Sequence, residues 1–473
     1  MLTVSLWCSA LSQSLKTSLQ VRKRVRSQSF VCALLAMFLA FSPLDQALAK
    51  KRVSDDTTSV DASQTNAKKK KRKKKRAAAL ASAAAVGVEP DKTTAKKSKV
   101  QAAKAQTAKP KTVSDAELLK VYQAIQQGQS RLALELNQQL LAKAPNHRLL
   151  HLLQSDLLAL RGKKNIALAA SLTDAQKLRV SELQQEAWLR LHSQVKKPSV
   201  DAVPTALLQL ADNEPYALVV DSAASRLYVY QNRPQLPPLL IGDYYTTLGK
   251  QGIYKNKEGD QRTPIGVYFI DGLVKQALPD LYGFKALNMD YPNAWDKRLG
   301  RTGYGIWLHG TPSETYTRAP YASDGCVVLS NPDLEQILQL NSLGRMPIVV
   351  TEKLEYVPEQ QLKQDRQDAL QALDAWRVAM QSGVQNQIAK LYGAQFKTDN
   401  YTRDAWLAKK IETHAAKKPV IISHVSVFRY PSENDMILMQ FTESSPDGTA
   451  STAKQLYWKK EQREWKIFME QTL

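Results

Sequence analysis

Cysteine and histidine are scarce in this chain: of 473 residues, three are Cys and six are His. Cys8 and Cys32 lie in the first 49 residues, so a chain that loses that segment keeps Cys326 alone. A lone thiol forms no internal disulfide; it pairs between molecules or it reacts. No thiol or acidic cluster stands beside His147, His151 or His192, so they read as ordinary surface or core histidines rather than metal ligands, and His414 and His424 have no obvious partners. Aromatic residues make up 7% of the chain and are absent from residues 50–112. Long apolar runs are missing too. Residues 30–41 form an uncharged apolar stretch, short of the ~20 residues of a spanning helix, and no later stretch approaches that length.

Charge is present in quantity but unevenly placed. The formal charge is +22, yet residues 50–112 carry 19 Lys/Arg against 5 Asp/Glu, a net +14. Residues 113–473 are left nearly balanced. The first 49 residues read as an export signal: Lys16, Arg22, Lys23, Arg24 and Arg26, then the apolar stretch, then Ala47-Leu48-Ala49 as a cleavage site. An uncleaved anchor is the other reading, and both place the remainder outside the cytoplasm, in the periplasm or cell envelope. Residues 50–112 are low-complexity, with nine consecutive basic residues from Lys68 to Arg76. Such a segment buries too little apolar surface to offset chain ordering and is expected to be disordered. Export argues against nucleic acid as its partner. An anionic envelope polymer or membrane surface fits better, and a solvated spacer is the bland alternative.

Residues 113–197 read as helical. Ser114-Asp115-Ala116-Glu117 marks a helix start, followed by Leu118, Val121, Tyr122 and Ile125 at helical spacing. Further helices are expected over 130–144 and around Leu149 to Leu160. The helix pairs resemble tetratricopeptide-type repeats without a clean period, a segment suited to docking a protein partner. Residues 198–215 read as a linker with mixed helix. From 215 to 352 the pattern turns to short strands, with a hairpin signal at Ser222-Ala223-Ala224-Ser225. Residues 362–473 combine a long amphipathic helix over 362–380, a short one over 386–392 and four strands, an α+β pattern that resembles the NTF2-like fold. The fold class is therefore multidomain: a helical, repeat-like region, a mostly β domain and an α+β domain.

The chemistry concentrates in the β region. Ser323-Asp324-Gly325-Cys326 follows Trp307-Leu308-His309-Gly310, and His309 is the only histidine between His192 and His414. A thiolate is a nucleophile, and a neutral imidazole is the usual group that generates it. Glycine before the thiol permits a tight turn that aims backbone N–H groups at one point, an oxyanion hole. A buried inert cysteine beside a structural histidine is the competing reading.

The local text resembles the YkuD-type L,D-transpeptidase catalytic domain. His309-Gly310-Thr311 and Ser323-Asp324-Gly325-Cys326 match the two halves of its signature, and Gly259-Asp260-Gln261-Arg262-Thr263-Pro264-Ile265-Gly266 resembles its upstream Gly-Asp-x-x-Thr-Pro-x-Gly element. The resemblance implies acyl transfer on peptidoglycan stem peptides. Cys326 is the nucleophile and His309 the general base and acid. The Gly310 carbonyl orients His309, and the N–H groups of Asp324, Gly325 and Cys326 form the oxyanion hole. Neither metal nor cofactor is implied. Ser323, Tyr291, Arg262 and Asn293 are candidate substrate-binding residues, with Arg298 near them. Two residues depart from the family pattern. Asp324 replaces the usual histidine, and its carboxylate would disfavour a nearby thiolate. Val328 replaces an arginine suited to carboxylate recognition. Water as acceptor, giving a carboxypeptidase or amidase, is one alternative function. A non-catalytic wall-binding scaffold is another.

Overall fold

The structure, a computed structural model, describes residues 113–161, 172–195, 202–313, 315, 318–340, 344–398, 401–414, 419–431 and 433–473. The expected export signal (1–49) and basic tail (50–112) lie outside the described residues.

Among the described residues, four helices come first: α1 (Asp115–Gln126), α2 (Ser130–Lys143), α3 (Arg148–Arg161) and α4 (Asp174–Val195). α1 starts at a reciprocal cap. Ser114 Oγ accepts the Glu117 N–H, and the Glu117 carboxylate accepts the Ser114 N–H. Leu118, Val121 and Tyr122 then pack with Leu149, Leu150, Leu153 and Leu191 in one apolar cluster. His147 is buried, and burial holds its pKa down at about 3, so it is a neutral core side chain.

Residues 198–215 are not the mixed-helix linker that their leucines suggest. Among the described ones, β1 (Ala202–Pro204) and β2 (Leu207–Gln209) are strands. β1 pairs antiparallel with β13 (Tyr356–Pro358), and β2 pairs with β14 (Ile421–Arg429). A three-residue strand whose partner lies more than a hundred and fifty positions away leaves no local periodicity to read.

The middle of the chain contributes an eight-stranded mixed sheet. Its strands are β3 (Tyr216–Asp221), β4 (Arg226–Arg233), β5 (Leu236–Tyr245), β7 (Gly266–Leu273), β8 (Ala286–Met289), β9 (Trp307–His309), β11 (Val327–Val328) and β12 (Met346–Thr351). The order is β11-β9-β8-β7-β12-β3-β4-β5. A small parallel pair, β6 (Leu248–Gly249) with β10 (Tyr321–Ser323), flanks it. Two helices belong here, α5 (Ala294–Arg298) and α6 (Asn331–Leu338). The sheet is covered on both faces, so β3 reads as a continuous apolar run. Leu218 and Val220 join Leu308, Leu334 and Ile337 in one cluster. Ala217 and Val219 join Phe428, Tyr430, Leu438 and Tyr457 in another.

The C-terminal part supplies α7 (Glu359–Ser382), α8 (Gln385–Leu391), α9 (Arg403–His414), β14, β15 (Met436–Ser444), β16 (Ser451–Glu461) and β17 (Glu464–Thr472). The helices meet one face of the sheet β17-β16-β15-β14-β2. Alternation along β15 explains its two neighbours: Ile437, Met439 and Phe441 pack with the helical residues Leu373 and Trp376. Met436 and Leu438 pack with Val219, Phe269 and Val349 of the middle sheet. Among the described residues, no helix is long and apolar enough to cross a membrane.

Candidate active site

Two short parallel strands bring the thiol and the imidazole into one place. β9 and β11 pair so that Leu308 faces Val327 and His309 faces Val328. The Leu329 N–H donates to the His309 carbonyl at 3.0 Å, locking the register. Cys326 immediately precedes β11. A cavity of about 260 Å³ is lined by Cys326, His309, Tyr282, Gly305, Ser323 and Arg318, among others.

The turn before the thiol requires glycine. Gly325 has φ of 124°, and a Cβ there would stand 2.7 Å from the Arg262 carbonyl oxygen. At Gly310 a Cβ would meet Asn331 Oδ1 at 2.0 Å, so the Asn331 side chain would have to move. His309 Nδ1 lies 2.6 Å from the Gly310 carbonyl oxygen. That contact puts the proton on Nδ1 and leaves Nε2 as the basic nitrogen. The Tyr282 ring stands edge-on to the imidazole, centroids 5.1 Å apart.

Burial sets the resting protonation. It pushes the Cys326 thiol up to about 11, against the lowering contact with the Trp307 backbone. It holds His309 down at about 4, against the raising contacts with the backbone of Gly310 and Tyr282. Near neutral pH both groups are therefore uncharged. The thiol points its hydrogen at the Gly305 carbonyl, 3.6 Å away. The arrangement suits a base that takes the thiol proton as the nucleophile attacks, rather than a standing ion pair.

The remaining sequence candidates divide. Ser323 Oγ donates to the Cys326 carbonyl at 2.7 Å and accepts the Gly325 N–H at 3.2 Å, so it pins the turn. The Gly325 N–H is thereby committed, leaving Asp324 and Cys326 as the turn's candidate oxyanion donors. Asp324 turns outward: Lys250 Nζ and Gln261 Nε2 donate to it at 2.9 and 3.0 Å, which offsets the charge it sets near the thiol. Arg262 sends Nη1 to the Ile253 carbonyl at 3.0 Å, and it is its backbone that buttresses Gly325. Asn293 is not brought to the cavity. It caps α5 through the Asp296 N–H and donates to Val267 and Tyr430. Tyr291 is buried beside it, with its hydroxyl on the Thr302 carbonyl. Arg298 donates instead to the carbonyls of Gln395 and Lys397 in the C-terminal part. Val328, 2% exposed, lies in the core.

Arg318 lines the cavity and was not signalled by sequence. It sits in no motif, and only the folding of its loop onto the site brings it there. Among the described residues, no group of three or more His, Cys, Asp or Glu could hold a metal ion.

Comparison with known proteins agrees with this geometry. Residues 215–350 match the L,D-transpeptidase catalytic domain YkuD. Residues 368–471 match the Cds6 C-terminal NTF2-like domain, so both resemblances read from sequence hold. The curated Escherichia coli K12 protein "Putative L,D-transpeptidase YafK" is 31% identical over 85 residues, 18% of this chain. The match spans 30% of that relative's length. Among solved structures, Bdellovibrio bacteriovorus Bd1075 superposes with a TM-score of 0.50 at 26% identity, covering 58% of this chain and 99% of that one. The Campylobacter jejuni helical cell shape determining protein Pgp2 gives 0.48 at 24% identity, covering 61% and 100%.

Proposed function

We propose that this protein is a cysteine-dependent L,D-transpeptidase acting on peptidoglycan stem peptides in the cell envelope. One observation carries the reading: Cys326 and His309 share one small cavity, and His309 Nδ1 is held by the Gly310 carbonyl. Nε2 takes the thiol proton as sulfur attacks the carbonyl between the third and fourth stem residues. The amides of Asp324 and Cys326 stabilise the oxyanion. The C–N bond then breaks, Nε2 returns its proton to the leaving amine, and the acyl group remains on sulfur as a thioester. An acceptor amine resolves the thioester and regenerates the thiol. Cell-wall cross-linking or remodelling is the outcome.

The test is to incubate the protein with purified tetrapeptide muropeptides and analyse the products by mass spectrometry. Dimers linked through third residues are expected, and Cys326→Ala should abolish them. Tripeptide monomers alone would make water the acceptor and the protein a carboxypeptidase. No turnover, with binding unchanged in Cys326→Ala, would reduce it to a wall-binding scaffold.

A further inference from the structure

Three cations line the thiol cavity: Lys250, Lys255 and Arg318. Two are already spent on carboxylates. Lys250 Nζ is 2.9 Å from Asp324, and Lys255 Nζ is 2.9 Å from Asp260. Arg318 is different. Its Nη2 donates to the Ala322 carbonyl at 2.9 Å, while Nη1 is buried with no hydrogen-bond partner. A desolvated guanidinium N–H without an acceptor is costly and calls for one. The guanidinium is close enough to the thiol for each to favour the other's charged form.

The backbone of Arg318 is held firmly. Tyr245 Oη donates to the Arg318 carbonyl at 2.8 Å. The Glu186 carboxylate of α4 faces the Arg318 backbone amide. Arg190 ties these two supports together. It bonds Glu186 at 2.9 Å, and its guanidinium lies 4.1 Å from the centre of the Tyr245 ring. Helix α4 thus holds the residue that reaches the cavity.

Resting on the transpeptidase reading, we propose that Arg318 clamps the free α-carboxylate of the departing fourth residue of the donor stem. That carboxylate lies only a few bonds from the scissile carbonyl, so its partner must stand beside the nucleophile, as Arg318 does. A guanidinium is the side chain that meets a carboxylate with two parallel N–H groups. The clamp lies outside β11, the strand that Val328 occupies. It selects stems that end at the fourth residue, since a longer or amidated stem presents no carboxylate there.

Binding in the Cys326→Ala background tests the clamp without turnover. Calorimetry with a D-Ala-terminated tetrapeptide is compared with its C-terminal carboxamide. Cys326→Ala should prefer the free acid by roughly 10- to 100-fold, and adding Arg318→Gln should erase the preference by weakening only the acid. Arg318→Lys should restore part of it. Equal weakening of both peptides, or no change, overturns the clamp. Failure of the transpeptidase reading shows separately, as absence of turnover by the Cys326-intact protein while the binding comparison still decides the clamp. In turnover, Arg318→Gln should raise KM for the acid and leave alkylation of Cys326 by iodoacetamide within about twofold of wild type. A larger change in alkylation would instead make Arg318 a tuner of the thiol.

Discussion

The middle sheet is met by two neighbours through opposite physics. The C-terminal part meets it with apolar and aromatic surface. Phe428 packs edge-on to Phe269 with centroids 6.1 Å apart, and Trp295 stacks on Tyr457 at 5.9 Å. The helical region meets it with buried charge. Arg190 and Arg226 both bond Asp115 of α1, at 2.9 and 2.6 Å, and Arg226 also bonds Asp243 of β5 at 2.6 Å. The apolar contact is indifferent to protonation and tolerant of small shifts. The ionic one is directional and titratable, because buried charges cost much to desolvate and are stable only when paired in the right geometry. It is also the contact that holds the Arg318 loop. The C-terminal part therefore works as a permanent buttress, and the helical region sets a position in the site.

The comparison can be broken most forcefully at the apolar side. Phe428→Ala should cost about 3–5 kcal/mol in thermal or denaturant unfolding, with little dependence on salt or pH. On the ionic side, Arg226→Ala leaves Asp115 with Arg190 alone and takes a buried cation from Asp243, and should cost about 3–5 kcal/mol by the same measurement. Replacing the three residues together with apolar ones (Asp115→Leu, Arg226→Met, Asp243→Leu), which leaves Arg190 on Glu186, should recover most of that. No recovery would mean the charges stabilise on balance. Hydrogen exchange should show Arg226→Ala loosening α1 and α4 while α7 keeps its protection.

Gly325→Ala separates the site from both interfaces. Its backbone strain should cost about 1–3 kcal/mol, with turnover lost and protection of α1, α4 and α7 unchanged. Turnover near wild type would sink the turn as the seat of the chemistry.

Two titrations have opposite signs. Burial raises Glu186 to about 7, so the folded state holds its proton where the unfolded chain has lost it. Stability should fall as pH rises from about 4.5 to about 7, and Glu186→Gln should remove that fall. His309 is depressed to about 4, so the unfolded chain binds the extra proton and stability falls as pH drops from about 6.5 through about 4. Cys326, raised to about 11, should alkylate slowly at neutral pH, with a rate that climbs ~tenfold per pH unit until that value.

Much of the fold could be read locally. Ser114 and Glu117 mark the start of α1, the Ser222–Ser225 turn joins β3 to β4, and continuous apolar runs mark strands covered on both faces. The thiol and imidazole of the candidate site were legible because thiols and histidines are few and their surrounding text is specific. Other features had no local signature. α9 carries a weakly amphipathic pattern, and β2 shows no strand pattern until it pairs with β14. Asn293 and Tyr291 looked available for substrate because a polar side chain in a loop gives no hint of the backbone groups it will satisfy.

By itself, the sequence determined which residues can do chemistry: one thiol and one imidazole in the same β segment, with a glycine before the thiol that permits a tight turn. Those are properties of residue type and near neighbours. Tertiary structure alone decided that Asp324 faces Lys250 and that Arg318 arrives at the thiol. Each depends on contacts between distant segments, where desolvation makes an unpaired polar group costly and so selects the partner.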